Sequence, residues 1–456
     1  MTNPSPTRDA TARAASARRR RVALASFIGS TVEYYDFILY SVAAALVFPQ
    51  LFFPNLSPLV GTVASFGTLA AGYFARPVGA IVCGHFGDRI GRKSMLMMTM
   101  ITMGVGSVLI GLLPTYATIG VAAPLLLVML RILQGFAVGG EWGGSVLIAV
   151  EHAAPKRVGL FGGFTQVGVA VGGLLSTGVM SMMSLLPDQQ FMTWGWRVPF
   201  LLSAVLVVIG IFIRVRVEES PEFEAVKKSE TIAASPLRIV MTTRLGTLVN
   251  AIFIGFGILA VHSVLSTYML SYAKQIGFET TTVLNLKVLM TGTSIVGVLF
   301  CAWLSDVVGK HRLMLVGALL FVVLPFPFFK MVNSGSVVLL AVALVVMFAL
   351  VLPLVFAPLA GLFTEMFPVR ARYTGVAVSY QTASVLGGGL APIIASTLVA
   401  AAGGGTNSQY LALFMMGTAL VTAVAIVHHW RSRTSDTRSG EGLSNSQFTG
   451  ATAGDR

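Results

Sequence analysis

Two carboxylates lie three positions apart inside the first long apolar segment of this sequence. Glu33, Asp36 and Tyr40 are spaced by three and four residues, so they share one face of a helix. Carboxylates that lie close together at membrane depth repel each other and lose solvation, and both effects favour protonation. Glu33 and Asp36 are therefore suited to carry a proton or to act on a substrate. The structural alternative is that a cation on another helix neutralises one or both of them permanently.

The fourth apolar segment supplies a cation and a third carboxylate. An arginine side chain keeps its charge in proteins, so Arg131 must face a carboxylate, water or an anionic substrate. Glu141 joins Glu33 and Asp36 as a candidate for proton coupling. The stripe that these residues form at helical spacing consists of Arg131, Gln134, Val138 and Glu141.

Polar residues in the other apolar segments are candidates for binding a substrate. Arg76, toward the inner end of the second segment, can contact substrate or extend to the membrane interface. His262 titrates near neutral pH, but it can equally be a hydrogen-bonded packing residue. Lys287, near the start of the eighth segment, is expected to extend to the outer interface. The other candidates for the wall of a substrate cavity are Tyr40, Gln134, Gln166, Tyr268, Tyr380 and Gln381.

Composition places the chain in the membrane. Hydrophobic residues make up 55% of the sequence and charged residues 11%, whereas soluble domains contain about 25% charged residues. The formal net charge of +13 could indicate nucleic-acid binding. The cations, however, lie in short loops and tails between apolar segments, where they set membrane topology, so no nucleic-acid partner is expected. Cys83 and Cys301 end different apolar segments, and no disulfide is expected between them.

Twelve apolar segments are each long enough to span a bilayer. They predict an all-α integral membrane fold with 12 transmembrane helices in two six-helix bundles. Arg and Lys concentrate in the loops of one side, which places both termini in the cytoplasm by the positive-inside rule. The predicted units are a disordered basic tail at 1–21, bundles at 22–215 and 245–430, a cytoplasmic linker at 216–244 and a disordered tail at 431–456.

A short charged loop at 84–93 joins the second and third segments, and 306–311 repeats it in the second half. Its glycines let the chain reverse sharply, and Asp88 can accept hydrogen bonds from a helix N-terminus or from nearby arginines. The loop is therefore expected to latch helix ends together. Val307 stands where the first copy has Arg89, so the second latch is expected to be weaker. The residues assigned to this gate are Gly84, Asp88, Arg89, Gly91, Arg92, Glu151, Asp306 and Glu365.

The pattern G-x-x-x-D-R-x-G-R-K at 84–93 resembles the signature loop between helices 2 and 3 of the major facilitator superfamily. In that family an acidic residue on the first or fourth helix often pairs with an arginine on the other. The resemblance implies that Arg131 pairs with Asp36 or Glu33 and exchanges partners as a proton moves; a static pair that only holds the helices together is the alternative. Further likeness to metabolite:proton symporters, such as shikimate, 2-oxoglutarate and proline/betaine permeases, lies in residues 32–37, 131–144, 196–200, 219–221 and 367–375.

The function implied by this resemblance is proton-coupled symport of a small metabolite by alternating access. We expect a carboxylate substrate such as shikimate, held by Arg76 and Arg131 once a protonated carboxyl group releases Arg131. The expected partners are this substrate, H+ and the lipid bilayer of the cell membrane, and the expected oligomeric state is a monomer. We expect no metal and no cofactor, because the proton gradient drives transport.

Three other functions are weighed against symport of an organic acid. A proline/betaine-type osmolyte symporter is the first alternative. An efflux antiporter is the second, but the fifth segment has Val169 where the antiporter glycine motif has a proline, and this favours symport. An enzyme is the third, and no zinc-protease, nucleophile-elbow or nucleotide-loop motif supports it.

Overall fold

The computed structural model describes residues 8–151, 153, 157–215 and 236–438. Over these ranges the regular secondary structure is helical, without β-strands. The predicted fold of twelve helices in two sets of six is confirmed. The first six, α1 to α6, are Arg8–Leu46, Pro58–Ile90, Arg92–Leu112, Ala122–Glu151, Val158–Met183 and Asp188–Val215.

The second set repeats this order of helices. Its third member, α9, is bent by 53°, because Pro325 has no N–H group and interrupts the helical hydrogen bonds. The helices α7 to α12 are Leu245–Gln275, Thr280–Val308, Lys310–Val323 with Pro325–Val332, Val337–Met366, Val369–Ala401 and Gln409–Arg438.

Length and composition make this a multi-pass membrane protein. Ten helices in the described ranges are long and apolar enough to cross a membrane, and the bent α9 would be an eleventh. The remaining helix, α1, carries Glu33 and Asp36 within its apolar part.

Two helices extend beyond the predicted spans. α1 begins at Arg8, within the predicted disordered tail, and α12 continues to Arg438. The extension of α1 is rich in Ala and Arg, which are among the strongest helix formers. In the predicted linker, a short helix, Pro236–Thr243, precedes α7. Residues 1–7, 152, 154–156, 216–235 and 439–456, and with them the motif at 219–221, lie outside the described residues.

The two sets of helices meet through two equivalent pairs. α2 packs against α11, and α5 packs against α8. A buried apolar core crosses this interface: the Trp142 ring of α4 stacks on Tyr380 of α11 with centroids 3.6 Å apart, and its edge meets Phe363 of α10. A separate aromatic cluster around Phe48, Trp196 and other buried rings lies at the end of the first set where α1 is followed by α2.

Glycines allow neighbouring helices to approach backbone to backbone. A Cβ atom at Gly135 of α4 would lie 2.0 Å from the carbonyl oxygen of Gly72 on α2. A Cβ atom at Gly172 of α5 would lie 2.4 Å from the carbonyl oxygen of Thr31 on α1. Small residues at such contacts are typical of helix packing in membranes, and here they fix the helices that carry the charged residues.

Replacing Gly135 tests this close packing. We expect Gly135→Ala to destabilise the protein by about 1–3 kcal/mol, because the added methyl group overlaps the backbone of α2. The measurement is the midpoint of thermal denaturation in detergent. Gly178→Ala is the matched control, since a Cβ atom there would meet nothing within 4 Å. Equal midpoints for the two variants would contradict the packing argument.

Candidate functional site

The first predicted latch joins the two halves at one end of the molecule. We call this end the basic face; it is where α2 meets α3 and α8 meets α9. Asp88 accepts hydrogen bonds from Tyr373 N (3.2 Å), Thr374 N (3.0 Å) and Thr374 Oγ1 (2.9 Å) at the start of α11. These amides lack partners within their helix and carry the positive end of its dipole. Arg89, by contrast, is exposed and lies 3.2 Å from His85.

The second latch repeats this geometry on the equivalent helix pair. Asp306 of α8 accepts hydrogen bonds from Gly159 N (2.7 Å) and Leu160 N (3.0 Å) at the start of α5. Asp306 therefore accepts two hydrogen bonds where Asp88 accepts three. Val307, in the place of Arg89, is 65% exposed and adds no polar contact. Among the described residues the second latch thus has fewer hydrogen bonds than the first. The replacement of Arg89 by Val307 does not account for this difference, because Arg89 forms no described contact with Asp88.

Ion pairs support both latches. Glu151, at the end of α4, pairs with the buried Arg92 and contacts Arg372 Nη1 across the interface at 3.2 Å. Glu365, at the end of α10, pairs with Lys310. Arg92 and Lys310 are the first residues of α3 and α9, so the two pairs occupy equivalent positions in the two halves.

Three glycines make the latch geometry possible. Gly91 and Gly309 have φ values of 116° and 98° between the helices of each loop, a conformation that side chains rarely adopt. A Cβ atom at Gly84 would lie 2.8 Å from Cα of Thr374, so only glycine lets α11 come this close. Apart from Arg89, the residues assigned to the gate lie in two regions of contact between the halves at the basic face.

A cavity of about 150 Å³ lies between the two halves. Its wall comes from α1, α2 and α5 of the first half and from α7, α8, α10 and α11 of the second. The described part of this wall contains the cations Arg76 and Lys287 but no Asp or Glu. The predicted substrate-binding residues that face the cavity are Arg76, Gln166, His262 and Tyr380.

Arg76 connects the two halves at the cavity. Its guanidinium lies between the rings of Phe37 and Tyr73, 4.3 and 4.2 Å from their centroids. Nη1 donates a hydrogen bond to Ser384 Oγ of α11 at 3.3 Å, and the buried Nε has no hydrogen-bond partner. Aromatic faces attract a cation without neutralising it, so Arg76 keeps donor capacity for an anion.

Helix α1 presents different residues to the cavity and to its own bundle. The cavity face carries Tyr34, Phe37, Ile38 and Ser41, which follow helical spacing. Glu33 and Asp36 are each one residue earlier than a member of that stripe, and one residue turns a helix by about 100°. The two carboxylates therefore lie behind the cavity wall and face the interior of the first bundle.

The second half contributes an irregular wall. Three π-helical turns, Val264–Tyr268, Val346–Val351 and Ser384–Gly389, interrupt α7, α10 and α11 beside the cavity. Such turns occur frequently at functional sites. The imidazole of His262, just before the first turn, stacks on the Phe356 ring with centroids 5.4 Å apart.

Lys287 belongs to this wall and not to the outer interface. It is partly buried and lines the cavity with Thr291 and Ser294, which follow it by four and seven residues on α8. The expectation that Lys287 extends outward was therefore wrong. The reason is the spacing: the polar stripe faces the other half of the protein, so the ammonium group is directed between the halves.

A buried ion pair lies inside the first bundle. Glu141 of α4 pairs with Arg214 of α6 and accepts hydrogen bonds from Thr99 Oγ1 (2.5 Å) and Ser145 Oγ (3.3 Å). Arg214 also donates to the carbonyl oxygen of Leu96 at 2.7 Å. A buried carboxylate needs a partner of this kind to remain charged. The negative charge of Glu141 is therefore compensated within the bundle.

Arg131 does not form the expected ion pair in the described part of the chain. Its guanidinium lies over the ring of Tyr40, 4.1 Å from the centroid, and donates to Gln134 Oε1 at 3.3 Å. Asp36 instead accepts a hydrogen bond from Ser203 of α6. The aromatic ring holds Arg131 in place of a carboxylate. The coupling roles predicted for Arg131 and Asp36 stay predictions.

Glu33 is a buried carboxylate that, like Asp36, forms no ion pair with a described residue. It is 5% exposed, and its Oε2 atom has no hydrogen-bond partner. A void of about 10 Å³ lies between Glu33 and Glu141, close to the smallest space that holds one water molecule. Glu33 therefore faces a second carboxylate across this void.

Four of the predicted substrate-binding residues lie outside the described cavity wall. Their polarity alone predicted a role in the cavity wall, but their side chains contact other groups within the packed helices. Their contacts are Tyr40 with Thr68 at 2.6 Å, Gln134 with Ser107 at 2.8 Å, Gln381 with the Val138 carbonyl at 3.1 Å, and Tyr268 beside the ring of Tyr272.

Spacing along the sequence indicates some cavity residues that were not among the predicted ones. Tyr34, whose hydroxyl lies 3.4 Å from that of Tyr380, precedes Phe37 by three residues on the cavity face. The stripe from Lys287 through Thr291 was likewise readable from spacing. The ion pair between Arg214 and Glu141 could not be predicted from spacing, because it joins helices that are distant in sequence.

Comparison with known proteins identifies the family. The family description "Major Facilitator Superfamily" matches residues 26–392 of this chain. The chain belongs to this superfamily. It is 40% identical to the shikimate transporter of Escherichia coli (strain K12) over 411 residues, which is 89% of this chain and 93% of that protein. It is 31% identical to the proline/betaine transporter of the same organism over 427 residues, 89% of this chain and 83% of that protein.

Solved structures agree with the fold. The proton:xylose symporter XylE bound to 6-bromo-6-deoxy-D-glucose matches with a TM-score of 0.74, 18% sequence identity and coverage of 91% of this chain and 96% of that chain. The predicted major facilitator fold is confirmed. The predicted kinship with the branch of shikimate and proline/betaine permeases is confirmed as well.

Asp88→Asn tests the latch at the basic face. Loss of the charge weakens hydrogen bonds to charged groups worth about 1.5–3 kcal/mol each, so we expect the open form to become at least about tenfold more populated. The reporter is alkylation of Cys83, which is buried near Gly140, by N-ethylmaleimide in a Cys301→Ser background. Asp188→Asn, at the opposite end of the molecule, is the control. Identical alkylation rates in both variants would rule out the latch.

Proposed function

We propose that this protein is a proton-coupled symporter that imports a small organic acid by alternating access. The observation that supports this most is the central cavity, whose described wall holds two cations and no carboxylate. Cations without acidic partners are costly at membrane depth, so the site is complementary to an anion. Transport, and not catalysis, is the activity of this protein, and the proton gradient drives it without a cofactor.

Proton coupling is proposed to act through Glu33 and Arg76. Glu33 lies behind the cavity wall, one residue before Tyr34, which lines the same cavity as Arg76. A deprotonated Glu33 offsets part of the positive charge that an anionic substrate would meet, and protonation removes this competition. By linkage, a bound anion favours protonation of Glu33 by the same factor. Glu141 is not the carrier in this scheme, because Arg214 compensates its charge.

The basic face is proposed to be the cytoplasmic face of a bacterial plasma membrane, with both termini on that side. Its Arg- and Lys-rich loops support this orientation. With both latches formed, the cavity is sealed from the cytoplasm. Release of substrate and proton then requires the Asp88 and Asp306 contacts to break. One chain contains both halves of the cavity, which supports a monomeric transporter.

An osmolyte symporter is the second candidate, favoured by the identity to a proline/betaine transporter. Aromatic residues that can face a quaternary ammonium group also line the cavity, among them Tyr34 and Phe356. Arg76 and Lys287 would repel that group, however, and no carboxylate in the described wall offsets them. The charge of the cavity therefore supports an acid over a betaine.

Uptake into proteoliposomes tests the proposed function. With an inward proton gradient, we expect concentrative uptake of an organic acid from a panel of labelled shikimate, 2-oxoglutarate, citrate and benzoate, and a protonophore should abolish it. Uptake of proline or betaine alone would establish the osmolyte alternative. If none of these compounds were accumulated, the proposal of proton-driven import would be wrong.

Glu33→Gln and Asp36→Asn form a matched pair that identifies the proton carrier. We expect Glu33→Gln to lose accumulation of the acid while it retains exchange of labelled for unlabelled substrate, because a permanently neutral side chain binds the anion but moves no proton. We expect Asp36→Asn to retain more of the accumulation. Loss of accumulation only in Asp36→Asn would transfer the proton role to Asp36.

A further inference from the structure

A second cation, Lys287, lies in the half of the cavity opposite Arg76. Lys287 of α8 is partly buried and faces the cavity. Its ammonium group forms no ion pair within the described residues, and only its backbone carbonyl oxygen is engaged, by Thr291 Oγ1 at 2.8 Å. A compact, three-donor cation with no acidic partner at membrane depth is a functional residue by default.

The surroundings of Lys287 offer further polar groups and no competing acid. His262, on α7, lines the same cavity as Lys287. Ser266 and Thr267 continue the cavity face of α7 at helical spacing, within its π-helical turn. The second half therefore presents one ammonium, one imidazole and several hydroxyl groups to the cavity.

Arg76 and Lys287 line the cavity from different halves of the protein. Arg76 belongs to α2 and is fixed between Phe37 and Tyr73, whereas Lys287 belongs to α8 in the other half. Two cations that face one cavity of about 150 Å³ repel each other unless two negative charges compensate them. A ligand with one anionic group at each end would satisfy both and would also join the two halves.

We propose that Lys287, with His262 beside it, is a second anion-binding subsite, and that the preferred substrate is a dianion whose two acidic groups bridge Arg76 and Lys287. This inference rests on the proposed transport of an organic acid and narrows its substrate class to dicarboxylates and similar dianions. Closure of the two halves around such a substrate brings both cations onto it, so substrate charge favours the occluded form.

Matched acids test this subsite by binding to the purified full-length protein. One pair is 2-oxoglutarate and 2-oxopentanoate, and the other is isophthalate and benzoate; within each pair the carbon framework is similar and one carboxylate is missing. Dissociation constants come from titrations of thermal stability in detergent. In the natural sequence we expect the dianion of each pair to bind about 10- to 100-fold more tightly than the monoanion.

Three variants assign this preference to Lys287. Lys287→Met should abolish the difference within each pair, Lys287→Arg should retain most of it, and Lys274→Met, at an exposed position near the end of α7, should leave it unchanged. The arginine variant also controls for folding, because it preserves the charge. An unchanged preference in Lys287→Met, or no binding by either dianion, would overturn the subsite.

The two proposals fail in different ways. Gradient-driven accumulation of a monocarboxylate, with equal binding of monoanions and dianions, would uphold acid symport and overturn the dianion subsite. Dianion binding that depends on Lys287, without gradient-driven accumulation of any acid, would uphold the subsite and overturn proton-coupled import.

Discussion

The cost of a charge at membrane depth governs the arrangement of this protein. Inside the first bundle, Glu141 is compensated by Arg214, and at its end Glu151 is compensated by Arg92. Among the other buried cations, Arg131 lies over the Tyr40 ring instead of a carboxylate, and Arg76 and Lys287 line the cavity without an acidic partner among the described ion pairs. A charge in an apolar medium needs a ligand or water to compensate it, and in the proposed function an anionic substrate compensates the two cavity cations.

Helix α1 carries the cavity-lining residues and the two carboxylates on different faces, although they are adjacent in the sequence. Its cavity face carries Tyr34 and Phe37, and the face turned by about 100° carries Glu33 and Asp36. In the proposed mechanism, a proton on the second face changes the electrostatic field at the first face without occupying the same space as the substrate. Coupling of this kind needs no direct contact between the proton carrier and the anion, only a low effective dielectric between them.

Much of the architecture followed from sequence because its causes are local. Apolar length predicted the helices, and the loop glycines and Asp88 predicted a contact with a helix start. The Arg131 ion pair was predicted from family likeness, but an aromatic ring on α1 holds Arg131 in this conformation. Which of several nearby groups a side chain contacts depends on tertiary geometry, and spacing along one helix does not predict it. The prediction for Lys287 was wrong for a simpler reason. It relied on the position of Lys287 near the start of α8 and not on the helical spacing of Lys287 with Thr291 and Ser294.

The two latches have a consequence for how the basic face can open. Each half contributes one aspartate and one helix start, so Asp88 and Asp306 accept hydrogen bonds across the interface in opposite directions. A rocking motion that separates the two halves at the basic face stretches both contacts together. Partial opening would therefore lose hydrogen bonds without creating a passage. Opening of the basic face is therefore expected to be all-or-none, with the free energies of the two contacts adding in one transition. The Asp306 contact, which has fewer hydrogen bonds, is not expected to open separately.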